Sequence, residues 1–412
     1  MAEGESVKCS RFFKGSNPIK IVLVMLCVGL VVQQISVCIM KLIDIPVTTY
    51  THFDFNKTIT YPSITLCREP PYKQDKLLEY GLYSHPILTS AWRNFNFSSI
   101  FLDDLWEEIT YNDEDFFVQY ALDSVRDNVE VTSTMTFMHG RCYTLSPRDL
   151  SREAEATIES GYSIMVQHNK TDLENPITLK TPGYYVFVHY VREPFTEVDV
   201  FNGGLVDQLY VNTGETLTAK LKVDEYVKIN DDEDPCSRTA NYSASVCTTQ
   251  YVSDEVVSAV NCSGPWMNSD RPYCNNFQDM RNLISTYYSL YKNHNSSTCP
   301  RLCHSYLYNV YVTDRQKFYY WDTRSDVAKE TSEAALQTQL YFYFNSMMVS
   351  VFEEKYNYDW NVFLADLGGS VGFLLGLSVI GLINIIGRIW ITIEPLICKK
   401  HIRDEDKKVD GE

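Results

Sequence analysis

Two long uncharged runs bracket this chain, and the pattern of apolar positions between them has a different period. No residue is charged from Ile21 to Met40, and none between Asp366 and Arg388. Each run is about 20 residues long, which is what a helix needs to cross the hydrocarbon core of a bilayer. Gln33, Gln34 and Ser36 in the first run prefer a protein or aqueous face to lipid. The second run opens on Asp366, a carboxylate that lipid penalises. That acid is expected to face water or protein. Gly368, Gly372 and Gly376 recur every four residues, which places three missing side chains on one helical face and lets another helix approach closely. A secretory signal is the alternative for the first run, since Lys8, Arg11, Lys14 and Lys20 precede it. The run exceeds a signal core, however, and no small-residue cleavage pattern follows in Lys41-Leu42-Ile43-Asp44-Ile45-Pro46, so a retained anchor is expected.

Between the runs the period is mainly two. Tyr184 to Val191 and Ser305 to Val312 are aromatic and β-branched stretches bounded by turn residues, and they predict strands. Asp103 to Ile109 and Asp279 to Tyr288 carry apolar residues at helical spacing and predict amphipathic helices. Asn230-Asp231-Asp232-Glu233-Asp234-Pro235 reads as a solvated loop. The chain shows no internal repeat, phosphate-cradling glycine loop, His-x-x-x-His pair or nucleophile elbow, so no catalytic constellation is visible.

Charge orients these elements. Residues 1–43 carry a net +3 and residues 361–412 a net −1; of the total −17, residues 44–360 therefore hold −19. Lys399, Lys400 and Arg403 follow the second run closely, so both ends are expected on the cytoplasmic side, with an acidic extracellular region between them. That region is long enough for its own hydrophobic core. It contains Cys67, Cys142, Cys236, Cys247, Cys262, Cys274, Cys299 and Cys303, an even set that reads as disulfides; zinc is the weaker alternative because no Cys-x2-Cys pair occurs. Glycosylation sequons at Asn56, Asn96, Asn169, Asn241, Asn261 and Asn295 all lie between the two runs, as extracellular exposure requires.

Four segments together carry a family resemblance: Tyr61-Pro62-Ser63-Ile64-Thr65-Leu66-Cys67, Gly140-Arg141-Cys142-Tyr143-Thr144-Leu145, Cys299-Pro300-Arg301-Leu302-Cys303, and Asp366 through Ser378. In that order, over nearly the whole chain, they resemble the degenerin/epithelial sodium channel family, which includes acid-sensing, peptide-gated, mechanosensory and chemosensory channels. The resemblance implies a membrane protein with two transmembrane helices flanking a large disulfide-rich α+β extracellular domain with a central β-core, assembled as a trimeric channel. The implied layout is a cytoplasmic N-terminus at 1–18, a first transmembrane helix at 19–43, the cysteine-rich domain at 44–357, a second transmembrane helix and pore at 358–388, and a cytoplasmic C-terminus at 389–412. It implies the pairings Cys67–Cys142, Cys236–Cys303, Cys247–Cys299 and Cys262–Cys274, the last three nested as two antiparallel segments riveted side by side would give. One rung common in the acid-sensing branch is absent, with Tyr251 and Ser297 at its ends.

By the same resemblance the pore and selectivity residues are Asp366, Gly369, Gly372, Phe373, Gly376, Leu377, Ser378 and Asn384, with Gly376-Leu377-Ser378 matching the selectivity motif. Three copies of Asp366 around an axis would concentrate cations at the outer mouth. Gly376 leaves carbonyls reachable by a partly dehydrated ion, and Ser378 offers a hydroxyl to the ion or to a helical carbonyl. Eighteen residues are five helical turns, which places Asn384 on the face of Asp366, where relatives carry an acid. Arg388 is expected to snorkel to headgroups. The family's His-Gly pair before the first helix has no counterpart in Phe12-Phe13-Lys14-Gly15-Ser16.

The function expected is a sodium-selective, amiloride-sensitive plasma-membrane channel, not an enzyme, with no cofactor or metal beyond permeant Na+. Its expected partners are related subunits in a homo- or heterotrimer, the lipid bilayer and an unidentified extracellular stimulus or ligand, with no nucleic acid. The alternatives are a non-conducting or regulatory subunit of a heterotrimer and a two-span receptor or adhesion subunit. An ATP-gated trimer would need a basic pocket in a region of net −19. Seven extracellular histidines, His52, His85, His139, His168, His189, His294 and His304, are candidates to titrate near neutrality.

Overall fold

The structure is a computed structural model, and it describes residues 18–55, 57–157, 159–174, 176–201, 204–232, 234–293 and 299–375. The chain divides into two compact units. One comprises residues 49–354; the other comprises the two chain ends up to Thr48 and from Lys355.

The larger unit is built on two sheets. Five antiparallel strands lie in the spatial order Val129–Thr136, Gly140–Pro147, Ser63–Glu69, Gly183–His189, Val206–Asn212. The second sheet has six strands, and at its centre the strand Gln337–Tyr356 runs parallel to Glu215–Val227 and antiparallel to Tyr162–Gln167. The predicted strand at Tyr184–Val191 is Gly183–His189, and that at Ser305–Val312 belongs to His304–Lys317, which pairs with Glu215–Val227 along most of its length. Alternation decides what each sheet buries. Leu217, Ala219, Leu221 and Val223 point inward from one strand, and Leu340, Phe342 and Phe344 from its parallel neighbour. They share one core with Ile64, Leu66, Val186 and Val188 of the five-stranded sheet. A register shift between Phe344 and Val349 returns the inward face to Val349 and Val351.

A second core lies among the helices. Leu102–Ile109 and Phe277–Asn293 contain the two predicted helical patches, and Ala244–Val260 packs beside the latter. Trp92, Trp106, Val256, Met280, Leu283 and Tyr287 are buried together there. Tyr251, one end of the missing cysteine rung, packs against this core.

Four disulfides are present: Cys67–Cys142, Cys236–Cys303, Cys247–Cys299 and Cys262–Cys274. Cys67 and Cys142 are direct cross-strand partners with Cα atoms 4.4 Å apart, the spacing of a close antiparallel pair. Of the nested set, Cys247 lies in the first turn of the helix Ala244–Val260 and Cys262 just beyond its end, while Cys274 and Cys299 flank Phe277–Asn293, so the rungs clamp the helix pair near both ends. The outermost rung departs from the antiparallel expectation. Cys236-Ser237 pairs parallel with Arg301-Leu302, because the Cys303 N–H donates to the Ser237 carbonyl at 3.0 Å while the Cys303 carbonyl accepts from Lys228 at 2.7 Å.

Each closed loop restricts the unfolded chain by a few kcal/mol. Cys303→Ala should therefore lower delivery to the cell surface several-fold, with non-reducing peptide mapping of wild-type protein recovering all four links. Normal surface delivery of the variant would show that the clamp does not hold the helix pair.

Candidate functional site

The smaller unit holds both apolar helices. Pro18–Ile43 contains the window Met25–Ile43, whose mean hydropathy is 2.0; among the described residues it is the one helix long and apolar enough to cross a membrane by that measure. Val31 and Cys38 are buried, with Cys27, Ile35 and Leu42 half-buried on the same face, while Met25, Leu26 and Met40 lie open. Ser36 satisfies its hydroxyl within the helix by donating to the Val32 carbonyl at 3.0 Å, so it needs neither a protein nor an aqueous partner. Gln33 and Gln34 are exposed.

The second helix is described over Trp360–Leu375 and packs beside the first. Asp359 starts it: its Oδ1 accepts from the Val362 N–H at 2.8 Å, and its carbonyl accepts from Phe363 at 2.9 Å. Phe363, Leu367, Ser370, Val371 and Leu374 form a half-buried face at three- and four-residue spacing. Gly368 and Gly369 lie off that face. A Cβ built at either meets nothing within 4 Å, so the first helix is not the close neighbour that the glycine repeat anticipates.

Asp366 is exposed, and its Oδ2 accepts a hydrogen bond from the Tyr358 hydroxyl at 3.2 Å. Gly369 is exposed, Gly372 half-buried, and Phe373 89% exposed. Gly376, Leu377, Ser378 and Asn384 lie outside the described residues, as does Arg388. Tyr358 was not legible as a site residue, because a contact across eight residues from a non-helical position leaves no periodic trace. Asp359 was legible in principle, since an acid before an apolar run is a cap signal.

A family model described as amiloride-sensitive sodium channel matches residues 6–387, and so spans both apolar runs and everything between them. The chain belongs to the amiloride-sensitive sodium channel family. It is thus an ion-channel protein of the degenerin/epithelial sodium channel type, and not an enzyme. None of the curated proteins matches it. Among solved structures, a proton-activated chloride channel determined by cryo-EM is similar at 9% identity, over 90% of this chain and 96% of that one. Its TM-score of 0.34 is too low to carry an argument.

The larger unit of this family member contains buried titratable groups that bear on how it responds to pH. Burial lowers His85 to about 4, His139 to about 3 and His189 to about 4, and holds His168 well below its ordinary value. These four stay neutral through the physiological range, so of the seven candidates they are structural groups rather than ones that titrate near neutrality. His52 lies on the strand Val47–Asp54, and His294 is outside the described residues. His304 belongs to a carboxylate-centred cluster. Glu225 continues the buried alternation of Leu217 to Val223, so its carboxylate is 2% exposed. There it accepts from His304 Nε2 at 2.6 Å, from Lys57 and from the Tyr306 hydroxyl at 3.4 Å. Burial pushes Glu225 upward, but the bonds from His304 and Lys57 outweigh it and hold the carboxyl below its usual value. Among the described sequons, Asn96, Asn169, Asn241 and Asn261 are exposed; Asn56 and Asn295 lie outside the described residues.

Glu197 is the opposite case. It is buried under the tip of the Val129–Thr136 and Gly140–Pro147 hairpin, accepts from the Met138 N–H at 2.6 Å, and is pushed up to about 7 by burial, against the weaker pull of its hydrogen bonds. Tyr287 lies against it, and the Tyr291 hydroxyl donates to its carbonyl at 3.0 Å. Because its pKa is raised on folding, the stability it contributes is fully present below the unfolded value near 4.5 and is lost as pH rises through about 7. Glu197→Gln removes that loss. The variant's stability advantage over wild type, read from hydrogen exchange in Phe277–Asn293, should grow by roughly 2 kcal/mol from pH 5 to pH 8. An advantage that does not change with pH would mean that Glu197 does not titrate in this range.

Proposed function

We propose that this chain forms a trimeric, sodium-selective, amiloride-sensitive channel of the plasma membrane, opened by an extracellular stimulus. In this reading residues 1–18 and 389–412 are cytoplasmic, 19–43 and 358–388 span the membrane, and 44–357 are extracellular. The observation that carries it is the family match across both apolar runs, joined to an exposed carboxylate two turns into the second helix. Three Asp366 carboxylates would draw cations to the outer mouth, and the −19 between the spans adds to that field. The open glycine side at Gly368 and Gly369 supports close approach by a helix of another subunit, with Gly372 and Phe373 next along the path. Gly376, Leu377 and Ser378 would form the constriction, and glycans would occupy the exposed sequons.

Asp366→Asn should lower single-channel sodium conductance by roughly twofold at about 10 mM salt and little at about 1 M, where screening is complete within a few ångströms. An unchanged conductance across the salt series would remove Asp366 from the path.

Asn384 supports a second reading, in which the chain conducts weakly alone and works as one subunit of a heterotrimer whose partner supplies the missing acid. Asn384→Glu should then raise inward sodium current in homomers severalfold at unchanged stimulus threshold. Robust homomeric current that falls on introducing the acid would exclude this reading.

A further inference from the structure

We propose that Tyr358 is the positioning residue for Asp366, holding the exposed carboxylate at one orientation. The inference rests on the reading that Asp366 lies in the permeation path.

Tyr358 sits in the short connection between the strand ending at Tyr356 and the helix beginning at Trp360. Three contacts place its ring. The preceding Asn357 N–H donates to the Pro46 carbonyl at 2.9 Å, which ties the connection to the segment just after the first helix. The Lys41 ammonium of that helix stands 5.7 Å from the ring centroid, within cation–π range. The Cys38 thiol, from the buried seam one turn earlier, lies beside the phenol hydroxyl. The ring is consequently 5% exposed, although it belongs to a non-helical linker. From that fixed position its hydroxyl donates to Asp366 Oδ2 at 3.2 Å.

An exposed aspartate on a helix surface otherwise exchanges among staggered rotamers. A donor anchored outside its own helix selects one of them. The chemistry of the donor matters as well. A lysine paired directly with Asp366 would cancel the charge that attracts cations, and among the described residues Lys41 forms no ion pair with it. A phenol fixes the carboxylate and leaves its charge intact. Lys41 is instead engaged by the ring of that same phenol.

The test uses full-length channels carrying Tyr358→Phe, Asp366→Asn or both. Phenylalanine keeps the ring and its contact with Lys41 while removing the donor. Tyr358→Phe should lower sodium conductance at about 10 mM salt by roughly 1.5-fold, a part of the roughly 2-fold fall from Asp366→Asn, and should change nothing further once Asp366 is asparagine. Infrared difference spectra supply a readout that does not depend on permeation. The wild-type-minus-Asp366→Asn difference isolates this carboxylate, and its stretching band should shift in Tyr358→Phe. Conductance effects that multiply independently, or a band that stays in place, would overturn the positioning role. A shifted band together with unchanged conductance in Asp366→Asn would retain the positioning role and reject the reading of Asp366 as a permeation residue.

Discussion

The strand Gln337–Tyr356 has neighbours on both sides, and much of the molecule follows from this. Along one edge its backbone groups pair parallel with Glu215–Val227, and along the other Gln337–Phe342 pairs antiparallel with Tyr162–Gln167. A parallel neighbour cannot be reached by a tight turn, and between Val227 and Gln337 residues 228–303 leave the sheet before His304–Lys317 rejoins it beside Glu215–Val227. That excursion contains the helix pair and the three nested disulfides, which restrict a segment with few long-range strand contacts of its own. The register shift near Phe344 then lets a twenty-residue strand keep its apolar side inward to Val351. Three residues separate its end from the start of the second apolar helix.

Buried charge in the larger unit is arranged so that nearly every ionised group has a partner. Arg68, 1% exposed, is paired with Asp172, stacks 3.7 Å over the Tyr111 ring and donates to the Gln167 carbonyl at 3.1 Å. Asp172 also accepts from Tyr111 at 2.8 Å and from the Asn169 N–H at 2.8 Å, so one carboxylate joins a sheet end, a helical lobe and a capping box. Such networks contribute little when compared with a well-packed apolar core, but losing one member strands the others and costs several kcal/mol. The Glu225 cluster follows the same logic, whereas Glu197 relies on neutral donors and is raised by burial to about 7.

In the smaller unit, several polar groups among the described residues have assigned partners. Ser36 bonds its own helix, Asp359 caps the next one, and Tyr358 connects Lys41 on one helix to Asp366 on the other. A family that conducts cations needs charge at a water-facing position and nowhere against lipid. A phenol meets both demands, since it is apolar enough to sit in a helix seam and polar enough to orient an acid.

Two of the strands, two amphipathic patches and the two apolar runs were legible in the sequence, because burial on one face imposes a period on the side chains, and a bilayer imposes a length. The family was legible from Tyr61–Cys67, Gly140–Leu145, Cys299–Cys303 and Asp366–Ser378, since their spacing and order survive in the chain itself. Other features were not. Glu225 and Glu197 are both buried glutamates, yet one is held below its usual pKa and the other raised to about 7. The difference lies in which distant groups the fold brings beside them: Lys57 and His304 in one case, the Met138 amide and Tyr287 in the other. Four histidines that composition offered as sensors were removed chiefly by burial. Tyr358 acquires its role only when Pro46, Lys41 and Cys38 are folded against it. Sequence periodicity records which face of an element is buried; the partner that meets a polar group on that face is set by contacts between segments far apart in the chain, and only the tertiary structure decides those.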